Sequence, residues 1–538
     1  MIFGFAFFAK ADTLGAVKNF YIESGYDLTA RKSVTAVLVK VSDKAYFYVD
    51  ESWWNFTDQS SILQSINVLS QEFSSNIYPN LTAFFGSEWN PGIDSDTRIT
   101  VLIHPMIKDA GGYTRTIDEY SIYQNSGSNQ REMIYLNSDY IKTDYEKSLL
   151  AHEFVHLITF NQKDRKYGVS EDTWLDEARA DYAPTLLGYD NTYDGSNLQK
   201  RVQSFVENPS ISLIDWQNSK YNYGMANVFI QYLVDYYGKQ ILTNSLKSPK
   251  VGIDSLNDAL AKEGYKDNFS QIFSTWIVAV FLNDCGYGPA FCYKNPNLKD
   301  LHVVPQTNFL PLSGESTLTF ADNLKNWSAN WYKIIGGKDI LKIKFEGSSV
   351  AFSKVPYITK NRSGNFKVDF LIIDKSNSAS ISIPNFGQDI LSFVIIPSIY
   401  SKSLAADSFY SFFWSASVSQ NANTDADQIQ QLLARIDYLK AEIARLKSGQ
   451  GSNGQFSCSS IITNLSYGMK NTEVRCLQEF LKSRGAEIYP EGLITGYFGQ
   501  LTKNAVIKFQ EKNGVIFPGT GFVGVLTRNK INPILAGV

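Results

Sequence analysis

The sequence predicts a multidomain protein, with an α+β domain first, a β-sandwich-like domain second and a small α-helical domain last. Strand-like segments dominate up to residue 136, and helical periodicity dominates from residue 144 to about 283. A strand-rich part followed by a helix-rich part is typical of α+β domains. Strand-like segments return between residues 305 and 418, and helical periodicity returns near the C-terminus.

The composition indicates a chain that buries a large core. Of its 538 residues, 44% are hydrophobic and 14% are aromatic, whereas disordered chains are poor in aromatics. At about 150 residues per domain, this length predicts three or four domains. The 50 Lys and Arg nearly balance the 53 Asp and Glu, so no basic excess indicates a nucleic-acid partner. No apolar run reaches the roughly 18 residues of a transmembrane helix, so no transmembrane segment is predicted.

Residues 1–11 (MIFGFAFFAKA) are predicted to be the remnant of a secretory signal peptide. A short apolar run precedes Ala9-Lys10-Ala11, which fits the small-x-small cleavage pattern, and Asp12 would then begin the mature chain. A basic n-region is missing, and a start codon assigned too late would explain this. The alternative is an ordinary buried N-terminal strand.

The four cysteines fall into two local pairs, Cys285 with Cys292 and Cys458 with Cys476. Such pairs predict two disulfides and an oxidising compartment. The alternative is four unlinked buried thiols, and no pair has the CxxC spacing of a redox or metal motif. Together with the N-terminal segment, the cysteines predict an exported protein.

We place the first domain at residues 12–304, with a β-rich N-terminal part and a helical C-terminal part. The expected elements are two strands within 33–50, a helix over 60–76, strands over 98–104 and 133–136, and a helix over 144–162. The last of these has an apolar stripe and is long enough to hold side chains rigidly. It also carries the strongest motif of the chain.

That motif is HEFVH, in which His152 and His156 flank Glu153. Residues four apart lie on one face of a helix. Two imidazoles placed in this way can bind one Zn²⁺, and the glutamate between them can reach water at the metal. The chain has only four histidines, and two of them lie in this motif.

A catalytic zinc ion needs a third protein ligand and one open position. The segment TWLDEARAD supplies Glu177, which lies 21 residues after His156 on a second predicted helix. Asp181 follows four residues later on the same face, where a carboxylate can accept the free N–H of a metal-binding imidazole. The alternative is a solvated acidic helix face.

HEFVH followed by WLDEARADY resembles the gluzincin metallopeptidases, and residues 33–245 are most similar to the hyicolysin-type neutral zinc peptidases. The resemblance implies a zincin-type catalytic domain with one catalytic Zn²⁺. It implies His152, His156 and Glu177 as ligands and Glu153 as general base and then general acid. It also implies Asp181 as the carboxylate that orients His152. The sequence leaves a structural Ca²⁺ undecided.

One residue departs from the family pattern, because Ala178 stands where many relatives have Gly after the ligand glutamate. Alanine is small and favours helix, so we expect little cost. Relatives stabilise the oxyanion with a His or a Tyr. His104 ends an apolar strand and is interpreted as structural, and His302 lies at the junction with the predicted β-domain, so a Tyr is favoured. Residues 221–224 (YNYG) resemble the tyrosine-bearing helix start of the aminopeptidase branch, which implies Tyr221 as the first choice, with Tyr223 as the alternative.

Gluzincins commonly bind the substrate peptide as an added strand at a sheet edge. Gly111, Gly112 and Tyr113 lie between a predicted strand and the HEFVH helix, and they are the candidate substrate-binding edge. The exopeptidase pattern G-x-M-E-N is absent from the sequence. An endopeptidase is therefore favoured over an aminopeptidase.

Residues 305–418 are interpreted as the β-sandwich-like domain, without a catalytic cluster. A linker over 419–456 contains a heptad pattern, which predicts a coiled-coil helix at 428–447. Ile at position a and Leu at position d favour a parallel dimer. The alternative is a single helix that packs on a neighbouring domain.

The last domain, residues 457–538, repeats a phrase of the form G-aromatic-x-G-x-L-T at 496–502 and 521–527. This duplication indicates two related helical units. The segment resembles the peptidoglycan-binding type 1 domain, a three-helix module, and this implies non-catalytic binding of wall glycan or stem peptide. The alternative is a helical module with another partner.

The function favoured by these patterns is a secreted, cell-wall-associated bacterial zinc endopeptidase that acts on protein or peptide substrates. One alternative is a hydrolase of peptidoglycan peptides, which the last domain favours. The other is a wall-binding adhesin with an inactive protease-like fold, against which the intact set of candidate ligands argues.

Overall fold

The computed structural model describes residues 11–108, 110–312, 314–347, 352–419, 458–490, 492–515 and 519–536. The chain divides into two compact units, residues 1–422 and 423–538. The predicted helix at 428–447, the linker around it and the signal segment up to residue 10 lie outside the described residues. Among the helices that are described, none has the length and apolarity needed to cross a membrane.

The first unit begins with a six-stranded sheet in the order β1-β2-β3-β4-β6-β5. Its strands are β1 Val17–Tyr21, β2 Ser33–Val41, β3 Ala45–Asp50, β4 Ile99–His104, β5 Gly112–Thr114 and β6 Met133–Asn137. Strands β3, β4 and β6 run parallel, while β5 pairs antiparallel with β6 at the edge of the sheet. The central strands are buried on both faces, which explains their nearly continuous apolar sequences.

The helices of this unit cover the sheet and then extend beyond it. They are α1 Glu51–Trp54, α2 Gln59–Glu72, α3 Tyr78–Phe85, α4 Glu146–Phe160, α5 Thr173–Leu186, α6 Asn197–Glu207, α7 Lys220–Tyr237, α8 Gln240–Leu246, α9 Gly252–Lys262 and α10 Phe269–Leu282. Helix α4 packs against β5, β6, α3 and α5. The α+β order expected from the sequence is thus present, with α4 between the sheet and the later helices.

Eleven further strands follow α10 in the part of this unit that the structure describes. They are β7 Gln306–Leu310, β8 Ser316–Lys325, β9 Ser328–Ala329, β10 Tyr332–Gly336, β11 Asp339–Gly347, β12 Lys354–Asn361, β13 Phe366–Ile372, β14 Ser378–Phe386, β15 Ile390–Ile395, β16 Ser398–Ile399 and β17 Phe409–Ser419. Nine of them form one sheet along the path β13-β12-β15-β14-β11-β17-β8, to which β10 and β7 add through β15. A single residue pair, Phe386 with Ile390, joins β14 to β15. Strands on both sides of this junction line one aromatic-rich core, so the segment predicted as sandwich-like has the form of one near-barrel sheet.

The hydrophobic core continues across the domain boundary that the sequence predicts at residue 304. Trp327 and Trp331 are buried in the same cluster as the helices. The backbone N–H of Leu213 donates to the carbonyl of Trp327 at 2.8 Å, and the indole N–H of Trp331 donates to the carbonyl of Ile277 at 3.0 Å. The strand-rich segment therefore packs directly on the helical part of the first unit.

Within its described residues, the second unit has the helices α11 Thr472–Ser483, α12 Gln500–Lys512 and α13 Val525–Leu535. They enclose a core of their own. Both predicted disulfides are confirmed: Cys285–Cys292 lies after α10 and Cys458–Cys476 ties the segment before α11 to that helix. No cysteine is free.

Candidate metal centre and active site

Helix α4 carries His152, Glu153 and His156 in a rigid position. Nearly every residue of α4 is buried, because the sheet lies on one side and α5 on the other. A helix that is apolar on most of its surface is typical of a buried core, and neighbours on several sides then hold its side chains by packing. The two histidines lie one turn apart on the same face, as the HEFVH spacing predicts.

Helix α5 brings Glu177 to these histidines. Nε2 of His152 lies 3.2 Å from Nε2 of His156 and 3.1 Å from Oε2 of Glu177. The same Glu177 oxygen lies 3.7 Å from Nε2 of His156. Among the described residues, this is the one group of three or more His, Cys, Asp or Glu whose ligand atoms converge closely enough to hold a metal ion.

Two aspartates of α5 hold the outer nitrogens of the imidazoles. Nδ1 of His152 lies 3.2 Å from Oδ1 of Asp181, and Nδ1 of His156 lies 2.8 Å from Oδ2 of Asp176. A carboxylate accepts the Nδ1 proton, which leaves the Nε2 lone pair free. Once deprotonated at Nε2, each imidazole offers a lone pair beside the Glu177 carboxylate, so the three groups form a set of electron-pair donors that a cation would complete.

The donor set fits zinc. Ligand atoms about 2 Å from a tetrahedral zinc ion lie roughly 3.3 Å from one another, close to the separations in this cluster. A donor set of two neutral imidazoles and one carboxylate suits zinc better than it suits harder cations. His152, His156 and Glu177 would thus occupy three positions and leave the fourth open towards the cleft.

Burial and neighbouring charges shift the titration of this cluster. Burial lowers the pKa of His156, but Asp176 and Glu177 outweigh it and raise that pKa to about 9. For His152, the hydrogen bonds to Asp181 and Glu177 likewise outweigh burial, so its pKa is also raised. Burial raises the pKa of the Glu153 carboxyl above its usual value, against the opposing effect of both histidines.

Arg201 of α6 contacts the same Asp181 carboxylate that His152 contacts. Its Nε lies 2.8 Å from Oδ2 of Asp181 and its Nη2 lies 2.9 Å from Oδ1. The guanidinium also lies over the ring of Tyr223, 4.6 Å from the ring centroid. One arginine therefore fixes both the carboxylate that orients His152 and an aromatic ring beside the cluster.

The cluster opens into a cleft of about 310 Å³. Gly112, Tyr113 and Thr114 of the edge strand β5 line one wall, whereas Gly111 does not line the cleft and packs on Leu149. A Cβ atom added at Gly112 would lie 3.1 Å from both Cγ and Oε1 of Glu153. The absence of a side chain at this position therefore lets the strand approach the glutamate closely.

The structure places Tyr223, and not Tyr221, at the cluster. The Tyr223 hydroxyl lies 3.4 Å from Oε1 of Glu177, and its ring lines the cleft. Tyr221 does not line the cleft, and its ring faces Lys220. Two residues apart on a helix are rotated by about 200°, so only one of the two tyrosines can face the cluster. The preference for Tyr221 is corrected on this ground.

Asn218 links the two walls of the cleft at one end. It accepts from the Tyr223 hydroxyl at 3.2 Å and its Nδ2 lies 3.5 Å from the Tyr26 hydroxyl. Tyr26 in turn stacks on Tyr113 of β5, with ring centroids 4.9 Å apart. Residues that follow His156 in the chain, among them Phe160 and Asp164, also line the cleft.

The other two histidines lie outside the cleft. His104 is fully buried, with Nδ1 3.4 Å from Oδ2 of Asp27 and Nε2 3.3 Å from the Tyr113 hydroxyl. His302 is exposed and lies near the carbonyl of Phe281. Neither histidine lines the cleft, so a tyrosine remains the candidate for the oxyanion donor.

Sequence reasoning missed Asp176 and Arg201. Asp176 directly precedes the proposed ligand Glu177, so an acidic pair next to the ligand was a visible signal. Arg201 had no signal in its local sequence, because its two contacts are made with residues of α5 and α7.

The comparisons with known proteins bear mainly on the second unit. Residues 470–531 match the family described as "Putative peptidoglycan binding domain". The chain therefore carries a C-terminal peptidoglycan-binding domain. A search of curated proteins found no match.

Several solved structures resemble parts of the chain at low identity. The pre-peptidase C-terminal domain of a Bacillus anthracis collagenase is 9% identical over 21% of this chain and 96% of its own, with a TM-score of 0.16. The Aeromonas hydrophila PliG, an inhibitor of g-type lysozyme, is 9% identical over 22% and 100%, with a TM-score of 0.15. The M60 catalytic domain of Clostridium perfringens ZmpB, with its CBM51 domains, is 9% identical over 72% and 60%, with a TM-score of 0.25. Likenesses this weak carry no argument about fold or function.

Proposed function

We propose that this protein is a secreted, cell-wall-associated zinc endopeptidase. The observation that carries the proposal is the convergence of Nε2 of His152, Nε2 of His156 and Oε2 of Glu177 within 3.1–3.7 Å of one another. Asp181 and Asp176 occupy the outer nitrogens of both rings, so the free lone pairs point at the shared position. A zinc ion held there supplies a Lewis acid that acidifies water and polarises the carbonyl of the scissile bond.

Glu153 is the proposed proton carrier of the reaction. It follows His152 directly on α4 and lines the cleft beside the cluster. Its carboxylate takes a proton from the attacking water and then delivers that proton to the nitrogen of the leaving amine. The Tyr223 hydroxyl, near Glu177, is the proposed hydrogen-bond donor to the oxyanion.

The proposed substrate-binding site is the outer edge of β5. This strand is the last of its sheet, so its outer edge has no strand partner in the sheet and a peptide can add to it through main-chain hydrogen bonds. Gly112 brings this edge against Glu153. A peptide on this edge would therefore pass both the proton carrier and the three ligands.

The peptidoglycan-binding domain and the two disulfides support the proposed location. Disulfides persist in oxidising compartments outside the cytosol. A peptidoglycan-binding domain finds its ligand in the cell wall. The same domain favours a second candidate, a peptidase that cuts peptidoglycan stem peptides. The adhesin alternative is disfavoured because all three candidate ligands and Glu153 are in place.

The test combines zinc content with hydrolysis of casein, for the parent chain and for Glu153→Gln. The matched control is Glu146→Gln, a second buried glutamate on α4 that lies away from the cluster. We expect one zinc per chain in all three proteins. Casein hydrolysis should be lost with a chelator and reduced by about 10²–10⁴-fold in Glu153→Gln alone.

Two results would redirect the proposal. Zinc binding without casein hydrolysis, but with release of peptides from purified peptidoglycan, would establish the second candidate. Absence of zinc binding by the parent chain would overturn the assignment of the metal centre. The wall-binding adhesin would then be the remaining alternative.

A further inference from the structure

The ring of Tyr223 is held by contacts with three other side chains. The Arg201 guanidinium lies 4.6 Å from its centroid, and the Trp216 ring packs edge-on with centroids 4.9 Å apart. The imidazole of His152 is the third neighbour, at 6.3 Å between ring centroids. Because these contacts fix the ring, the main freedom left to the side chain is the direction of its hydroxyl proton.

Two acceptors lie within reach of that proton. Oδ1 of Asn218 is 3.2 Å from the Tyr223 hydroxyl, and Oε1 of Glu177 is 3.4 Å from it. The amide oxygen of Asn218 is the nearer of the two, and it is neutral. A neutral acceptor binds a proton donor less strongly than a charged oxygen does. Asn218 therefore holds the hydroxyl in place without competing strongly against a negatively charged oxygen of a substrate.

The backbone around Asn218 is fixed by the first turn of α7. Asn218 has a φ of 50°, in the left-handed region that asparagine adopts more readily than most residues. The N–H groups of its neighbours Gln217 and Ser219 both donate to Oδ1 of Asn222, at 3.2 and 3.3 Å. Nδ2 of Asn222 donates to the carbonyl of Asp215 at 3.1 Å. One buried amide thus holds the loop that presents Asn218.

The other end of the Asn218 amide faces a second tyrosine. Its Nδ2 lies 3.5 Å from the hydroxyl of Tyr26, whose ring stacks on Tyr113 of β5. Tyr26 and Tyr223 both line the cleft. With Nδ2 directed at Tyr26, the amide oxygen faces Tyr223, so the two contacts together set the orientation of the Asn218 side chain.

We propose that Asn218 is a positioning residue, whose amide oxygen holds the Tyr223 hydroxyl beside the cluster until the oxyanion forms. The inference rests on the proposed function, because it requires Tyr223 to be the donor to the oxyanion. When negative charge develops on the carbonyl oxygen of the substrate, the hydroxyl proton turns from Asn218 to that oxygen. Only a hydrogen bond is exchanged in this step, and the phenol keeps its proton.

The test compares Asn218→Gly and Asn218→Asp in the full chain. Glycine removes the amide and tolerates the left-handed backbone, whereas aspartate keeps the shape and makes the acceptor anionic. The matched controls are Asn377→Gly and Asn377→Asp, because Asn377 has a φ of 58° and precedes β14 without lining the cleft. The measurements are kcat and KM on a fluorogenic peptide, zinc content, and the affinity for a phosphinic peptide, which carries the tetrahedral oxygens of the intermediate.

We expect Asn218→Gly to lower kcat and the affinity for the phosphinic peptide about tenfold each, with KM and zinc content nearly unchanged. Asn218→Asp should lose more activity at pH 8, because its carboxylate attracts the hydroxyl proton. The ratio of its kcat to that of the parent should rise towards pH 5, as the new carboxyl, with an ordinary pKa of about 4, takes up a proton. Both Asn377 variants should match the parent at every pH.

A double substitution separates positioning from a merely structural role. In a chain that carries Tyr223→Phe, Asn218→Gly should cause no further loss of kcat, because no hydroxyl is left to position. An equal loss in both backgrounds, a kcat of Asn218→Gly equal to that of the parent, or a pH-independent ratio for Asn218→Asp would each overturn the inference and leave the endopeptidase in place. A parent chain that cleaves neither casein nor the fluorogenic peptide would overturn the proposed function and this inference together.

Discussion

Nδ1 of His156 lies 2.8 Å from Oδ2 of Asp176, the residue immediately before Glu177 in α5. These two neighbours in sequence thus have different roles. Glu177 is a candidate metal ligand, whereas Asp176 contacts the outer nitrogen of His156. Asp181 likewise contacts Nδ1 of His152. Helix α5 therefore supplies one candidate ligand and both of the carboxylates that orient the histidines of α4.

Asp176→Asn tests this arrangement. The amide keeps an acceptor oxygen but removes the negative charge beside Nδ1 of His156, so we expect zinc affinity to fall about 10–100-fold, as measured by competition with a chromophoric chelator. Asp164→Asn is the control, because Asp164 also lines the cleft but accepts from Ser170 and contacts neither histidine. Equal zinc affinity of Asp176→Asn and the parent would show that the aspartate has no such role.

The assignment of the oxyanion donor is tested by Tyr223→Phe and Tyr221→Phe. Both substitutions remove one hydroxyl and keep the ring. We expect Tyr223→Phe to lower kcat about a hundredfold with zinc content unchanged, because only this hydroxyl lies at the cluster. Steady-state kinetics on a fluorogenic peptide measure the effect. A large loss in Tyr221→Phe with little in Tyr223→Phe would restore the first choice.

Gly112→Ala tests the approach of β5 to Glu153. The added Cβ would lie 2.8 Å from the carbonyl of Tyr135 and 3.1 Å from Glu153, so either the strand or the glutamate must shift. We expect kcat/KM to fall about tenfold or more while zinc stays bound. Gly127→Ala is the control, since its Cβ would meet nothing closer than 3.5 Å. Full activity of Gly112→Ala would show that the edge strand is not close to the reacting groups.

Glu146 should make folding stability depend on pH. It is 3% exposed, its carboxyl oxygens have no hydrogen-bond partner, and burial raises its pKa well above the ordinary value of 4.5. The folded state therefore holds a proton that the unfolded state releases above pH 4.5. The stability associated with this proton is present below that pH and is lost as pH rises through the raised folded-state pKa.

The measurement is urea unfolding at pH 5 and pH 8. We expect the parent chain to lose stability between these values, and Glu146→Gln to lose less, because the amide stays neutral at both. At pH 8 the variant should be the more stable protein. A pH dependence identical in the two proteins would contradict the assignment of this effect to Glu146.

Local spacing allowed much of the candidate site to be predicted. His152, Glu153 and His156 lie within one helix, and Glu177 and Asp181 within another, so helical periodicity alone sets which of them share a face. The disulfides were predictable for a similar reason, because each pair closes a short loop. The peptidoglycan-binding domain was recognisable because its repeated phrase occupies one continuous segment.

The sequence by itself therefore determined which residue types stand at helical spacing, which cysteines are paired and where the last domain lies. Only the tertiary structure decided that Tyr223 rather than Tyr221 faces the cluster, that Arg201 supports Asp181, and that the later strands form one near-barrel sheet packed on the helices. The physical reason is that periodicity fixes the angle between residues of one element. The rotation and crossing of separate elements depend on how their side chains pack together.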